Sequence, residues 1–113
     1  MNREDFDKSI EATFERCKNT LIHKSKEYTP DDDPLNNFKE GSDMSGRPME
    51  EVLFMYCLKH LVSLRDIIFK KVPCDSQLLQ EKTGDIINYL AILNAMNDAN
   101  EFKKSSQTFQ NYL

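Results

Sequence analysis

The sequence contains few of the residues that build several common kinds of functional site. Among its 113 residues there is no tryptophan, and there are only three glycines and three cysteines. No glycine-rich phosphate loop, HExxH or GxSxG motif can be found in it. Cys17, Cys57 and Cys74 form no CxxC pair and are odd in number, which argues against a zinc site or a disulfide framework. We expect them to be buried, reduced thiols.

Long apolar runs and an excess of positive charge are also missing. Every apolar run is shorter than the ~20 residues that a membrane span needs. The first residues, MNREDFDKSIEATF, are acidic where a signal peptide would be basic. We therefore expect a cytoplasmic protein that contacts no membrane. The net charge of −4 argues against binding to a DNA or RNA polymer, although a small anion could still be held by local basic residues.

The chain length suits one domain, residues 1 to 113. A domain of this size buries roughly two-thirds of its unfolded surface, so one core is feasible but a deep pocket within one subunit is hard to build. We therefore expect a homo-oligomer, in which neighbouring subunits supply further walls.

Hydrophobic periodicity predicts three main helices. An apolar stripe marks the first, from about Glu4 to Glu27, and the residues of this stripe are Phe6, Ile10, Phe14, Cys17 and Leu21. Pro48 opens the second, which runs to about Phe69 and is apolar on most sides, as is typical of a central helix. Asp75 or Ser76 caps the third, which runs to about Asn97.

Shorter elements fill the remaining sequence. Asp33 and Pro34 predict the start of a short helix through Phe38, followed by a loop between Gly41 and Gly46. Residues 98 to 113 are a possible tail or oligomerisation segment with a possible C-terminal helix. The predicted fold class is therefore all-α: a small helical bundle of three main helices plus a short loop helix.

Acidic and amide groups share one face of the third main helix. Glu81, Asp85 and Asn88 have the spacing i, i+4, i+7. The residues around them are largely apolar, so this turn should lie against protein, where a carboxylate needs a cation or a hydrogen-bond donor. Such a face predicts a ligand site, and the alternative is ordinary solvated helix surface.

Two basic residues interrupt the apolar central helix. Lys59 and His60 could meet Asp85 across the helix pair, or bind an anionic ligand that lies there. The alternatives are a hydrogen-bonded core histidine and a lysine whose head reaches water along an apolar stem.

A third set of candidate residues surrounds the first loop, in HKSKEY and PLNNF. Lysine suits phosphate, an aromatic ring stacks on a base and side-chain amides read base edges. The alternative is turn chemistry with Phe38 in the core. The residues of this set are Lys24, Lys26, Tyr28, Asn36, Asn37 and Phe38.

The series HKSKEY, NNF, KHLVSLRDII and EKTGDIINYLAIL resembles a group of short phage-encoded proteins, over roughly Cys17 to Met96. EKTGDIINYLAIL is also distantly similar to the second metal-binding helix of MazG-like all-α nucleotide pyrophosphohydrolases. That resemblance implies a helical fold and Mg²⁺ held by four acidic residues on two helices. Here Asp85 fits the pattern and Glu81 is one position off. The matching stretch of the partner helix, MYCLKHLVSLRD, offers Lys59 and His60 and has Asp66 as its only carboxylate.

Exchanging acidic ligands for lysine and histidine should repel Mg²⁺ and attract phosphate. The favoured hypothesis is thus a non-catalytic binder of a nucleotide or nucleotide-derived signal, which a phage could use to sequester a host defence messenger. It needs no cofactor, metal or catalytic residue. One alternative is a divergent Mg²⁺-dependent phosphohydrolase that uses Glu81, Asp85 and Asp66. Another is a protein–protein interaction module.

Overall fold

The computed structural model describes residues 1 to 28 and 33 to 99, and this part of the chain is all-α. Its four helices are α1 (Arg3–Tyr28), α2 (Asn36–Ser45), α3 (Met49–Phe69) and α4 (Ser76–Asp98). The described ranges contain no strand, so the predicted fold class is confirmed. The predicted tail and C-terminal helix lie in residues 100 to 113, outside the described residues.

The ends of the long helices follow local rules of capping. The Asn2 side chain accepts a hydrogen bond from the backbone of Asp5 at the start of α1 (2.8 Å). Pro48 immediately precedes α3, and Glu50 and Glu51 occupy its first turn. Of the two predicted caps for α4, Asp75 is the one used: its carboxylate accepts from Leu78 N–H at 2.8 Å.

The prediction for the short helix was wrong at both ends. The N-cap position is Leu35 and not Asp33, whose carboxylate accepts from Leu35 N–H in the turn before the helix and from Lys39 Nζ within the helix. The helix begins at Asn36 and continues through Gly41, where a loop was expected. It ends at Gly46, whose positive φ of 72° suits a residue without a side chain.

The core lies between α2, α3 and α4. Met96 of α4 is fully buried, and it clusters with the buried residues Phe38, Met49, Val52 and Leu53. The short connection from Lys70 to Asp75 makes α3 and α4 an antiparallel pair. α1 packs against α4, so that α4 lies between α1 and α3.

Two apolar faces predicted to be covered are exposed. In α1 the apolar stripe is buried at Cys17, whereas Phe6, Ile10 and Phe14 of the same stripe are exposed. α3 has one face in the core, but its Phe54 and Leu58 are exposed on another. Within the described residues, no helix has the length and apolar character needed to cross a membrane.

Candidate functional site

Three helices meet at the carboxylate of Asp85. Its Oδ2 lies 3.5 Å from Nδ1 of His60 on α3, and its Oδ1 lies 3.6 Å from Nζ of Lys24 on α1. Asp85 itself is half-buried in the middle of α4. Of the two residues predicted to meet Asp85, His60 contacts it and the exposed Lys59 does not. Lys24 joins the contact from the end of α1.

The environment of His60 keeps its imidazole largely neutral. Burial lowers the pKa of His60 below the usual 6.5, because desolvation disfavours the imidazolium. The charge of Asp85 raises this pKa, and the charges of Lys59, Lys82 and Lys24 lower it, in that order of size. The ring also lies against the ring of Tyr89, with centroids 5.7 Å apart. A histidine held in this way can accept or donate a proton when the charge beside it changes.

Asp85 forms part of the wall of a cavity between α1 and α4. The volume of this cavity is about 490 Å³, within the usual range for a small-molecule site. α4 contributes the predicted face of Glu81, Asp85 and Asn88, together with Gln77, Gln80 and Gly84. α1 contributes Arg16, Cys17, Thr20 and Lys24. The ten residues include cations, carboxylates and amides.

Asn88 is the buried polar group of this site. Its side chain is 9% exposed and lines the cavity. Among the described residues, the buried side-chain atom without a hydrogen-bond partner belongs to Glu50 and not to Asn88. An amide that lines a cavity can both donate a hydrogen bond to a ligand and accept one from it. The arrangement therefore favours a donor or acceptor supplied from inside the cavity.

Six of the ten residues of the cavity wall were not predicted as part of a site. Arg16, Thr20, Gln77 and Gln80 are polar residues on helix surfaces, and their sequence carries no motif. One usable signal was the stripe itself: Arg16 and Thr20 flank Cys17, which belongs to the apolar stripe and so had to face another helix.

Three other residues predicted to bind a ligand do not line this cavity: Lys59, Lys26 and Asn37. Lys59 is exposed on α3, and it acts on His60 only through its charge. Lys26 and Asn37 are exposed. Tyr28 is the last residue of α1, and its side chain lies outside what the structure describes.

Phe38 belongs to the core, and this corrects its prediction as a stacking residue. Its side chain is 7% exposed and its ring lies 5.8 Å from that of Tyr56. A ring enclosed in this way has no free face to offer a base. The alternative prediction, that Phe38 packs in the core, is the one that the structure supports.

The carboxylates proposed for a metal are not gathered at one point. Asp66 pairs with Arg65 (3.0 Å) and Lys70 (3.5 Å) near the end of α3, while Asp85 pairs with Lys24 and His60. No group of three histidine, cysteine, aspartate or glutamate residues arranged to hold a metal occurs within residues 1–28 and 33–99. Glu81 and Asp85 do share the cavity wall, but Asp66 does not join them.

Comparison with known proteins adds no relative: no family model, no curated protein and no solved structure matches this chain. The resemblance to phage-encoded proteins and to MazG-like enzymes therefore stays a prediction.

Proposed function

We propose that the protein is a non-catalytic binder of a small anionic, nucleotide-like ligand, held in the cavity between α1 and α4. The observation that carries this proposal is the cavity that brings the amide of Asn88, a buried residue, together with the basic side chain of Arg16. The amide can pair with a ligand that has hydrogen-bonding edges. Arg16 favours a ligand that also carries negative charge, whereas Lys24 on the same wall already pairs with Asp85.

Each part of a nucleotide has a suitable group in the cavity. Arg16 and Lys24 on α1 are suited to phosphate, since both side chains are basic and donate hydrogen bonds. The amides of Asn88, Gln77 and Gln80 on α4 can pair with the edge of a base. Glu81 can accept hydrogen bonds from ribose hydroxyl groups or an exocyclic amine.

The two basic neighbours of Asp85 support binding without catalysis. Each of its oxygens already faces a basic side chain, Lys24 on one side and His60 on the other. Hydrolysis by Mg²⁺ needs carboxylates that are free to hold the ion beside the phosphate. A binder of this kind could sequester a nucleotide-derived messenger of host defence, as the resemblance to phage proteins implies.

Isothermal titration calorimetry of the full chain would test the proposal. The ligands are mononucleotides, cyclic dinucleotides and cyclic trinucleotides, and ADP-ribose, each with and without Mg²⁺. We expect saturable binding of at least one of them without added metal. Chromatography of the ligand after incubation should recover it intact. Heat signals absent for every ligand in the panel would overturn the proposal, and metal-dependent cleavage would favour the hydrolase alternative.

Substitutions of cavity residues then test whether the ligand binds in this cavity. Asn88→Ala and Arg16→Ala should each weaken binding about tenfold, the effect of losing one hydrogen bond to a buried or charged partner. Lys18→Ala is the matched control, because Lys18 is an exposed basic residue of α1 that pairs with Glu15 and does not line the cavity. Equal losses in all three variants would contradict binding at this site.

A further inference from the structure

α3 presents an exposed apolar face along its whole length. Phe54 is 55% exposed, Leu58 is 37% exposed and Ile68 is 49% exposed. Phe54 and Leu58 each follow a buried residue, Leu53 and Cys57, and so lie about 100° further round the helix than those residues. A face of this length is not the scattered exposure that is normal for single apolar side chains.

The spacing along this face is that of a helix pair. Its positions alternate in steps of three and four, as in the seam of a coiled coil, and they are Glu51, Phe54, Leu58, Leu61, Arg65 and Ile68. Met55 and Val62, both exposed, widen the same face. Such a pattern fits the side of another helix better than it fits a small ligand.

The charges on the face are self-complementary in one orientation. Glu51 interrupts the apolar seam near the start of α3, and Arg65 interrupts it near the end. Two copies of α3 paired in parallel would place like charges opposite each other, which is destabilising. An antiparallel pair centred between Leu58 and Leu61 places Glu51 of each copy within about one helical turn of Arg65 of the other.

The side chain of Glu50 indicates independently that a hydrogen-bond donor from another chain is needed near the start of α3. Its Oε2 is buried and has no hydrogen-bond partner among the described residues. Glu50 lines a groove of about 580 Å³ between α2 and α3, together with Glu51, Phe54 and Met55 of the exposed face. A buried carboxylate oxygen needs a donor, and the antiparallel arrangement brings Arg65 of a second copy to this end of α3.

We infer that the exposed face of α3 is the interface of a homodimer, in which the two α3 helices pack antiparallel about a two-fold axis. Phe54, Leu58 and Leu61 form its apolar centre. In the dimer, Arg65 of each copy exchanges its contact with Asp66 of its own chain for the acidic pair Glu50 and Glu51 of the other. Glu51 also contacts Arg47 of its own chain, at 3.4 Å. The dimer is separate from the proposed ligand site, because His60 is half-buried on another side of α3, against α4.

Sedimentation equilibrium of the full chain tests this inference directly. The wild type should have twice the 13.2 kDa mass of one chain. Leu58→Glu places a charge on the two-fold axis and should yield the monomer mass. Because Leu58 is already exposed, the helical circular dichroism of this variant should remain that of the wild type. A wild-type chain that stays at 13.2 kDa would overturn the inference and leave the face to residues 100 to 113 or to a different protein.

Charge reversal tests the orientation of the pair. Arg65→Glu and the double variant E50R/E51R should each be monomeric alone, since like charges then meet at both ends. Mixed in equal amounts they should form a heterodimer, because opposite charges then meet at both ends. Lys8→Glu, an exposed charge reversal on α1, is the control and should remain a dimer. Dimers that persist in Arg65→Glu, or a mixture that stays monomeric, would contradict the antiparallel interface.

Discussion

Nδ1 of His60 lies 3.5 Å from Oδ2 of Asp85, and this contact joins the middle of α3 to the middle of α4. On the other side of the same carboxylate, Lys24 of α1 lies 3.6 Å from Oδ1. One acidic group thus pairs with basic groups from both neighbouring helices. It also faces the cavity, so a ligand that binds there would change the electrostatic balance among all three helices.

The lowered pKa of His60 should make the stability of the fold depend on pH. Because this pKa lies below its unfolded value of 6.5, the unfolded chain binds a proton more readily than the folded chain does. The free energy of unfolding is therefore fully retained above about pH 6.5 and falls as the pH drops towards the folded pKa of His60. Urea unfolding at a series of pH values measures this dependence, and His60→Gln should remove part of it.

His60→Gln should flatten the dependence of the free energy of unfolding on pH, relative to the wild type, between about pH 7.5 and pH 5.5. If the variant and the wild type give the same profile, the folded structure does not hold His60 as described.

Removing the charge of Asp85 should lower the pKa of His60 further. Asp85 raises this pKa and so partly offsets the effect of burial. In Asp85→Asn the offset is lost, while the desolvation and the charges of Lys59, Lys82 and Lys24 remain. A titration of the imidazole protons by nuclear magnetic resonance would show the change. Glu81→Gln removes an equal charge from the same cavity and should leave the titration of His60 nearly as in the wild type; an unchanged pKa in Asp85→Asn would contradict the contact.

The long helices could be predicted from sequence because their signals are local. Apolar periodicity, Pro48 before α3 and Asp75 before α4 act within a few residues of the element that they define. α2 was predicted too short because a glycine such as Gly41 is usually a signal that a helix ends. In the folded protein Gly41 continues the helix, and α3 packs against it so closely that a side chain has little room.

The site was predictable only where periodicity placed residues on one face. Glu81, Asp85 and Asn88 share a helix face by their spacing alone, and all three line the cavity. The opposite wall depends on which helix packs against α4, and that is decided by tertiary contacts. For this reason Arg16 and Lys24 of α1 line the cavity. Lys59 lies one residue before His60 on α3 and is exposed.

Truncation of Met96 should be among the costliest single changes in the core. This side chain is fully buried at the centre of the cluster formed by α2, α3 and α4. Met96→Ala leaves a cavity and should lower the free energy of unfolding by about 2–5 kcal/mol in urea titrations. Met44→Ala is the control, since Met44 is 90% exposed on α2 and its loss should change stability by less than about 0.5 kcal/mol. Similar losses in both variants would contradict the described packing.

Two helical glycines should respond to alanine in opposite directions. A Cβ at Gly41 would lie 2.8 Å from Cγ1 of the buried Val52 and 3.0 Å from the Tyr56 hydroxyl. Because Val52 is short and enclosed, Gly41→Ala should force α2 and α3 apart and destabilise the fold by about 1 kcal/mol or more. At Gly84 the new Cβ would meet only Cys17 Sγ, at an ordinary contact distance of 3.6 Å. Gly84→Ala should therefore stabilise α4 by about 0.5–1 kcal/mol through its better helix propensity. Urea midpoints of the two variants, measured against the wild type, should move to lower and higher denaturant respectively; a rise for Gly41→Ala would mean that α2 does not pack on α3 as closely as described.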